Sequence, residues 1–219
     1  MPRRMSGRFL EVVMKGEKQE MNRAGTSLTI KKRFSAKRLA LMGVFVALSY
    51  VVSFIEIPLP FFGAEFLKLD FGNVFIALIA FLLGPVEGVV VCFLKEALRC
   101  IGSSSLCAGE LANFLITSSF ILFPSILYQR RKNLETVIRA MDIACVIATA
   151  VALIANRLII FPAYAYVFGG SIFGMTVKVA FAKFWVAILL FNIIKTMLVA
   201  WLTRLLYKRL SNFLKKIKI

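Results

Sequence analysis

The residues in this chain equipped for chemistry are few, and they lie inside or at the edge of long apolar stretches. Asn156, Asn192 and Lys195 interrupt runs of Ala, Leu, Ile, Val and Phe, while Glu110 and Asn113 stand where another such run begins. Asn192 and Lys195 are three apart, as are Glu110 and Asn113, so each pair falls on one helix face. An asparagine amide both donates and accepts; a lysine ammonium donates three times and accepts nothing. No base stands ready beside a nucleophile. The chain has no histidine, which removes Ser-His and Cys-His pairs, the HExxH metalloprotease and most zinc sites. No GxxxxGK[ST] string supplies a phosphate loop. What remains is recognition by hydrogen bonds, with no catalytic residue, no metal ligand set and no cofactor. The complementary ligand is neutral, flat and partly apolar, with an imide-like edge and hydroxyls. Phe61, Phe66, Tyr164 and Phe191 are the aromatics available to surround its body.

Each of these residues also has a plainer reading. A single asparagine inside a span often bridges two helices, and Glu110 can simply favour the positive end of its own helix. Lys195 is harder to treat this way, because an ionisable group within a span needs a cavity or a partner.

The elements that must position these residues are membrane helices. Of 219 residues 60% are hydrophobic, 21 of them phenylalanine, and the mean hydropathy is +0.83. A soluble domain of this length cannot hide so much apolar surface, so the solvent is lipid. The net charge of +17 raises nucleic acid as a partner, but its distribution argues otherwise. Residues 1–38 hold 11 of the 28 Lys and Arg, 129–139 hold 4, and 204–219 hold 6. These clusters flank apolar segments, as the positive-inside rule requires.

The expected architecture is an all-α integral membrane protein, a bundle of six transmembrane helices with both termini cytoplasmic. Residues 1–36 form a basic, disordered leader, 37–208 the membrane domain and 209–219 a basic tail. The spans are expected near Leu39–Ile55, from Asp70 or Asn73 as cap to Leu83, Val86–Arg99, Glu110–Leu127, Thr136–Phe161 ending at Pro162, and Phe184–Leu206. Tyr164–Met175 reads as an outer loop. Glu96 and Arg99, three apart on the third span, read as a structural pair. Cys100 and Cys107 flank a short outer loop and either pair or remain free thiols.

Two stretches stand out for their pattern. Ala36, Ala40, Gly43 and Ala47 make a small-residue stripe on the first span, suited to close approach of another helix, within this protein or outside it. Between the first two spans, Ile57–Asn73 reads IPLPFFGAEFLKLDFGN. It is too apolar for a solvated loop and too broken by Pro58, Pro60 and Gly63 for a spanning helix. It is either an interfacial hairpin or a lid over the level where Asn113, Asn156, Asn192 and Lys195 converge.

The IPLPFF…FLKLDFGN connector, LGPVEGVVV, GELANFL at 109–115 and FNIIK at 191–195 are together similar to the substrate-binding membrane subunits (S components) of energy-coupling-factor vitamin transporters, and within them to the riboflavin type. The resemblance covers about residues 37–207. It implies six helices, a vitamin bound near the outer face and the connector acting as lid. Its implied partners are riboflavin as transported ligand, a transmembrane coupling subunit, two ATPase subunits and the lipid bilayer of a prokaryotic plasma membrane. By the same resemblance Asn156, Asn192 and Lys195 contact the ligand, with backbone from Leu67, Lys68 and Leu69 and with Glu110 and Asn113. Ala40, Gly43 and Ala47 would meet the coupling subunit. Two other readings stay open: a subunit for another flavin such as FMN or another B-group vitamin, and a membrane-embedded lipid-modifying enzyme. The second needs clustered acids for a metal, and Glu135 and Asp142 lack the spacing.

Overall fold

The computed structural model describes residues 35–58, 67–103, 107–130, 134–167, 169–172 and 174–216. The leader, most of the apolar middle of the connector and the three C-terminal residues lie outside this set, and with them Pro60, Phe61, Phe62, Gly63 and Phe66.

The described chain is mostly helical, in the order α1 (Ala36–Val52), β1 (Glu56–Pro58), β2 (Lys68–Asp70), α2 (Gly72–Leu82), α3 (Pro85–Cys100), α4 (Ala108–Arg130) and α5 (Leu134–Ala155). A π turn (Asn156–Ile160), α6 (Phe161–Val167) and α7 (Val177–Lys216) complete it. Among the described residues, three stretches are long and apolar enough to cross a membrane: Ala108–Arg130, Val137–Val167 and Val177–Tyr207. Large apolar side chains such as Val51, Phe93, Val146, Leu158 and Trp201 are exposed on the helices. That surface would be costly in water and is ordinary against lipid tails.

Helix α2 occupies the centre. Nearly every side chain from Asn73 to Phe81 is buried, and it packs against α3, α4 and α7. A helix apolar on all sides belongs inside other helices, and at eleven residues α2 is shorter than the roughly twenty that a lipid-facing span needs. Close approach is made by missing side chains. A Cβ on Gly88 would collide with Ala80 across the α2–α3 turn, and one on Gly72 with the carbonyl of Ser49 on α1. The turn itself depends on Gly84, whose φ of +142° suits glycine, followed by Pro85 in the first turn of α3.

Several boundaries differ from those expected. β1 and β2 form a short antiparallel hairpin, with Glu56 opposite Asp70, Ile57 opposite Leu69 and Pro58 opposite Lys68. The connector is thus rooted in strand pairing. Helix α2 starts after Phe71 with no side-chain cap at that position; Asp70 Oδ1 instead accepts the Gly72 N–H at 2.7 Å. The fifth helical stretch does not stop at Pro162. The π turn widens the helix just ahead of the ring, which would otherwise press on the carbonyl four residues back. The chain then continues as α6 to Val167, taking Tyr164 out of the expected outer loop. Helix α7 begins earlier than Phe184 and runs on past Leu206 through the basic residues to Lys216. Cys100 and Cys107 are joined as a disulfide, their Cα atoms 5.0 Å apart.

Candidate ligand-binding site

A cavity of about 480 Å³ opens between the connector root, the facing ends of α3 and α4, the π turn and α7. Its walls include Leu67, Lys68, Glu110, Asn113, Asn156, Asn192 and Lys195, and among aromatics Tyr164 and Phe191. One site therefore collects seven of the eight residues expected to contact a ligand. Leu69 is the exception: it is buried, faces Ile57 across the hairpin and does not line the cavity. Strand alternation accounts for part of this, since Lys68 and Leu69 point to opposite faces.

One wall is ionic. Lys95, on the buried face of α3, has no exposed surface. Its Nζ donates to Asp70 Oδ2 and, at 2.7 Å, to Glu96 Oε1. Asn113 on α4 donates through Nδ2 to Glu96 Oε1 and, at 3.3 Å, to Asp70 Oδ2. Its Oδ1 accepts from Asn73 Nδ2 at 3.1 Å and from Lys195 Nζ at 2.6 Å. Charge is balanced within this set, two cations against two carboxylates, as burial in low dielectric demands.

Nearer the opening, Arg99 donates to Glu56, to the Ser53 carbonyl at 2.6 Å and to Ser53 Oγ at 2.9 Å; Lys68 pairs with Glu56 at 2.9 Å. Burial alone would raise the Glu56 pKa, but the hydrogen bonds and charges of Lys68 and Arg99 outweigh it and hold the carboxyl below its ordinary 4.5. Ser103 Oγ donates to Glu110 Oε2 at 2.8 Å, so Glu110 is engaged by the loop that the disulfide closes.

The other wall carries amides with capacity to spare. Asn156 Nδ2 donates to the Ala152 carbonyl and Asn192 Nδ2 to the Ile188 carbonyl, each at 2.8 Å and each four residues back. These bonds fix both rotamers. Asn192 is only 2% exposed, yet its Oδ1 has no partner among the described residues. A buried acceptor left unmade costs about 1–3 kcal/mol, a cost that a ligand N–H would remove. Lys195 Nζ lies 6.0 Å from the Phe191 ring centroid and spends one donor on Asn113, leaving donors for the cavity. The site can therefore accept from and donate to a flat polar edge while Phe191, Tyr164 and Ile160 meet an apolar body.

Reading the sequence missed the ionic wall. Glu56, Asp70, Glu96 and Arg99 all line the cavity, and Lys95 stands behind it. Glu96 and Arg99 do not pair with each other; they serve Lys95 with Asn113, and Glu56 with Ser53, respectively. A signal was present: Lys95 and Glu96 follow Gly88, Val91 and Cys92 at helical spacing, which puts them on the face that the small and apolar residues bury.

Comparisons with known proteins identify the family. Residues 37–207 match the family described as ECF transporter, substrate-specific component. The riboflavin transporter RibU of Staphylococcus aureus (strain TCH60) is 34% identical over 181 residues, covering 83% of this chain and 94% of that protein. The riboflavin transporter FmnP of Bacillus subtilis (strain 168) is 23% identical, covering 82% and 95%. A solved structure reported as the S component of a bacterial ECF transporter superposes with a TM-score of 0.68 at 34% identity, covering 82% of this chain and 98% of that one. Matched along most of its length in sequence and in fold, the chain belongs to the family of substrate-specific components of ECF transporters.

Proposed function

We propose that this chain is the riboflavin-binding specificity subunit of an ECF-type uptake transporter. It spans a prokaryotic plasma membrane six times with both termini in the cytoplasm. It binds the vitamin from outside and delivers it to a transmembrane coupling subunit driven by two ATPase subunits. Division of labour of this kind fits a chain without a phosphate loop. The observation that carries the ligand is that Asn192, with its unspent Oδ1, and Lys195, with donors left after Asn113, line one cavity. An imide edge such as that of the flavin ring offers an N–H for the first and carbonyls for the second. Asn156 would meet the ring or the ribityl hydroxyls. The relatives named as riboflavin transporters point the same way, and about 480 Å³ lies within the ~300–1,000 Å³ usual for small-molecule sites.

With Lys95 behind the wall, the four carboxylates of the lining are matched by four cations, leaving no cationic surplus for a phosphate dianion, which favours neutral riboflavin over FMN. Leu67 and Lys68 at the cavity edge support the connector as its cover, with their backbone offered to the ligand. Ala40, Gly43 and Ala47 are each exposed on α1 and would let the coupling subunit approach closely.

Purified protein in detergent should quench riboflavin fluorescence at micromolar concentration, with FMN competing poorly. Lys195→Ala should weaken binding by about tenfold to a hundredfold, as expected for one charged hydrogen bond. Absence of quenching by the intact protein would refute riboflavin as ligand, and unchanged affinity in Lys195→Ala would remove that residue from the contact set.

A further inference from the structure

Lys95 is fully buried and does not line the cavity, yet it touches two carboxylates that do, Asp70 and Glu96. Asn113 stands between those carboxylates and Lys195, donating to Asp70 and Glu96 on one side and accepting from Lys195 on the other. One amide thus separates the cavity's lysine from two acids that would otherwise bind it directly. We infer that Lys95 is a positioning residue for the ligand: by occupying Asp70 and Glu96 it keeps Lys195 on Asn113, with donors left for the cavity. Without Lys95 the four-charge set loses its balance. The uncompensated carboxylates would then draw Lys195 away from the ligand into the α3 wall, because an unpaired buried charge recruits any mobile counter-charge in reach. Asp70 ends β2, two residues after Lys68 at the cavity edge, so the same ion pair also fixes the connector root.

This inference rests on Lys195 being a ligand donor, and a double-mutant cycle separates the two. Riboflavin Kd is measured by fluorescence quenching for the full chain in detergent, as wild type, Lys95→Met, Lys195→Ala and the double variant. Lys95→Met is expected to raise Kd about tenfold or more, as for a lost charged hydrogen bond. The double variant should bind no more weakly than Lys195→Ala alone, because a residue acting through Lys195 has nothing left to act on. Effects that multiply would overturn the inference and leave Lys95 a packing residue, with the reading of Lys195 intact. A Lys195→Ala variant of wild-type Kd would overturn both. If Lys95→Met does not fold, the same cycle is run in a Glu96→Gln background, where one carboxylate fewer is left uncompensated; the two outcomes keep their meaning.

Discussion

The two polar walls of the cavity are built from similar residues and do different work. On the α3–α4 side, Lys95, Asp70, Glu96, Asn113 and Asn73 spend their donors and acceptors on one another. On the π-turn and α7 side, Asn156 and Asn192 bond only backward along their own helices, and Asn192 keeps a buried oxygen unused. A saturated network holds elements in register; an unsaturated one waits for a partner. Lys195 belongs to both, tied to the first wall through Asn113 and open to the cavity. The difference teaches that buried polarity is not itself a sign of a binding site. Unspent hydrogen-bonding capacity on a residue that lines a cavity is.

The contrast can be broken most forcefully from the saturated side. Asp70→Ala removes a carboxylate from Lys95 and the acceptor of the Gly72 N–H at the start of the central helix. Breaking a buried pair costs about 3–5 kcal/mol, so the ligand-free protein should melt far below wild type. A melting temperature near that of wild type would show that the network is not what holds the wall. The unsaturated side should behave oppositely. Asn192→Leu keeps the branched shape of the side chain and discards the orphan oxygen, so ligand-free stability should hold or rise. Riboflavin affinity should fall by about one hydrogen bond, roughly 1 kcal/mol or fivefold. Equal losses of stability and affinity in both variants would erase the distinction between the walls.

How far each wall was legible in the sequence follows from the same physics. Asn156, Asn192 and Lys195 are conspicuous because a polar residue in an apolar helix needs a reason. Lys95 and Glu96 sit near the end of a short helix, where charge is ordinarily solvated, so their spacing from Gly88, Val91 and Cys92 was outweighed until the packing of α2 and α4 around them was in view. The hairpin could not be read from EIP and KLD, since three residues carry no period and their pairing is fixed by the Glu56, Lys68 and Arg99 side chains. Nor could the π turn: shifting one hydrogen bond from four residues to five leaves the apolar pattern almost unchanged, yet it carries the helix through Pro162 and brings Tyr164 to the cavity.

The smallest effect should come from the hairpin root, where the pairs are only partly buried. The Glu56 side chain is 21% exposed and holds Lys68 from the opposite strand and Arg99 from α3. Its carboxyl lies below its ordinary 4.5, so its contribution is complete above about that value and is lost as pH falls through the lowered one. Riboflavin dissociation should therefore be insensitive to this group from neutral pH down to about 5 and should quicken only in stronger acid. Glu56→Gln removes the charge at every pH and keeps the side chain's shape. Its dissociation should be modestly faster at neutral pH, by about twofold to fivefold for an exposed ion pair. On acidification the wild-type rate should rise to meet it, because there the wild type has lost the same charge. If the two proteins instead diverge in acid, the pH response belongs to the buried carboxylates of the saturated wall, and the hairpin root is only a spacer between the first two helices.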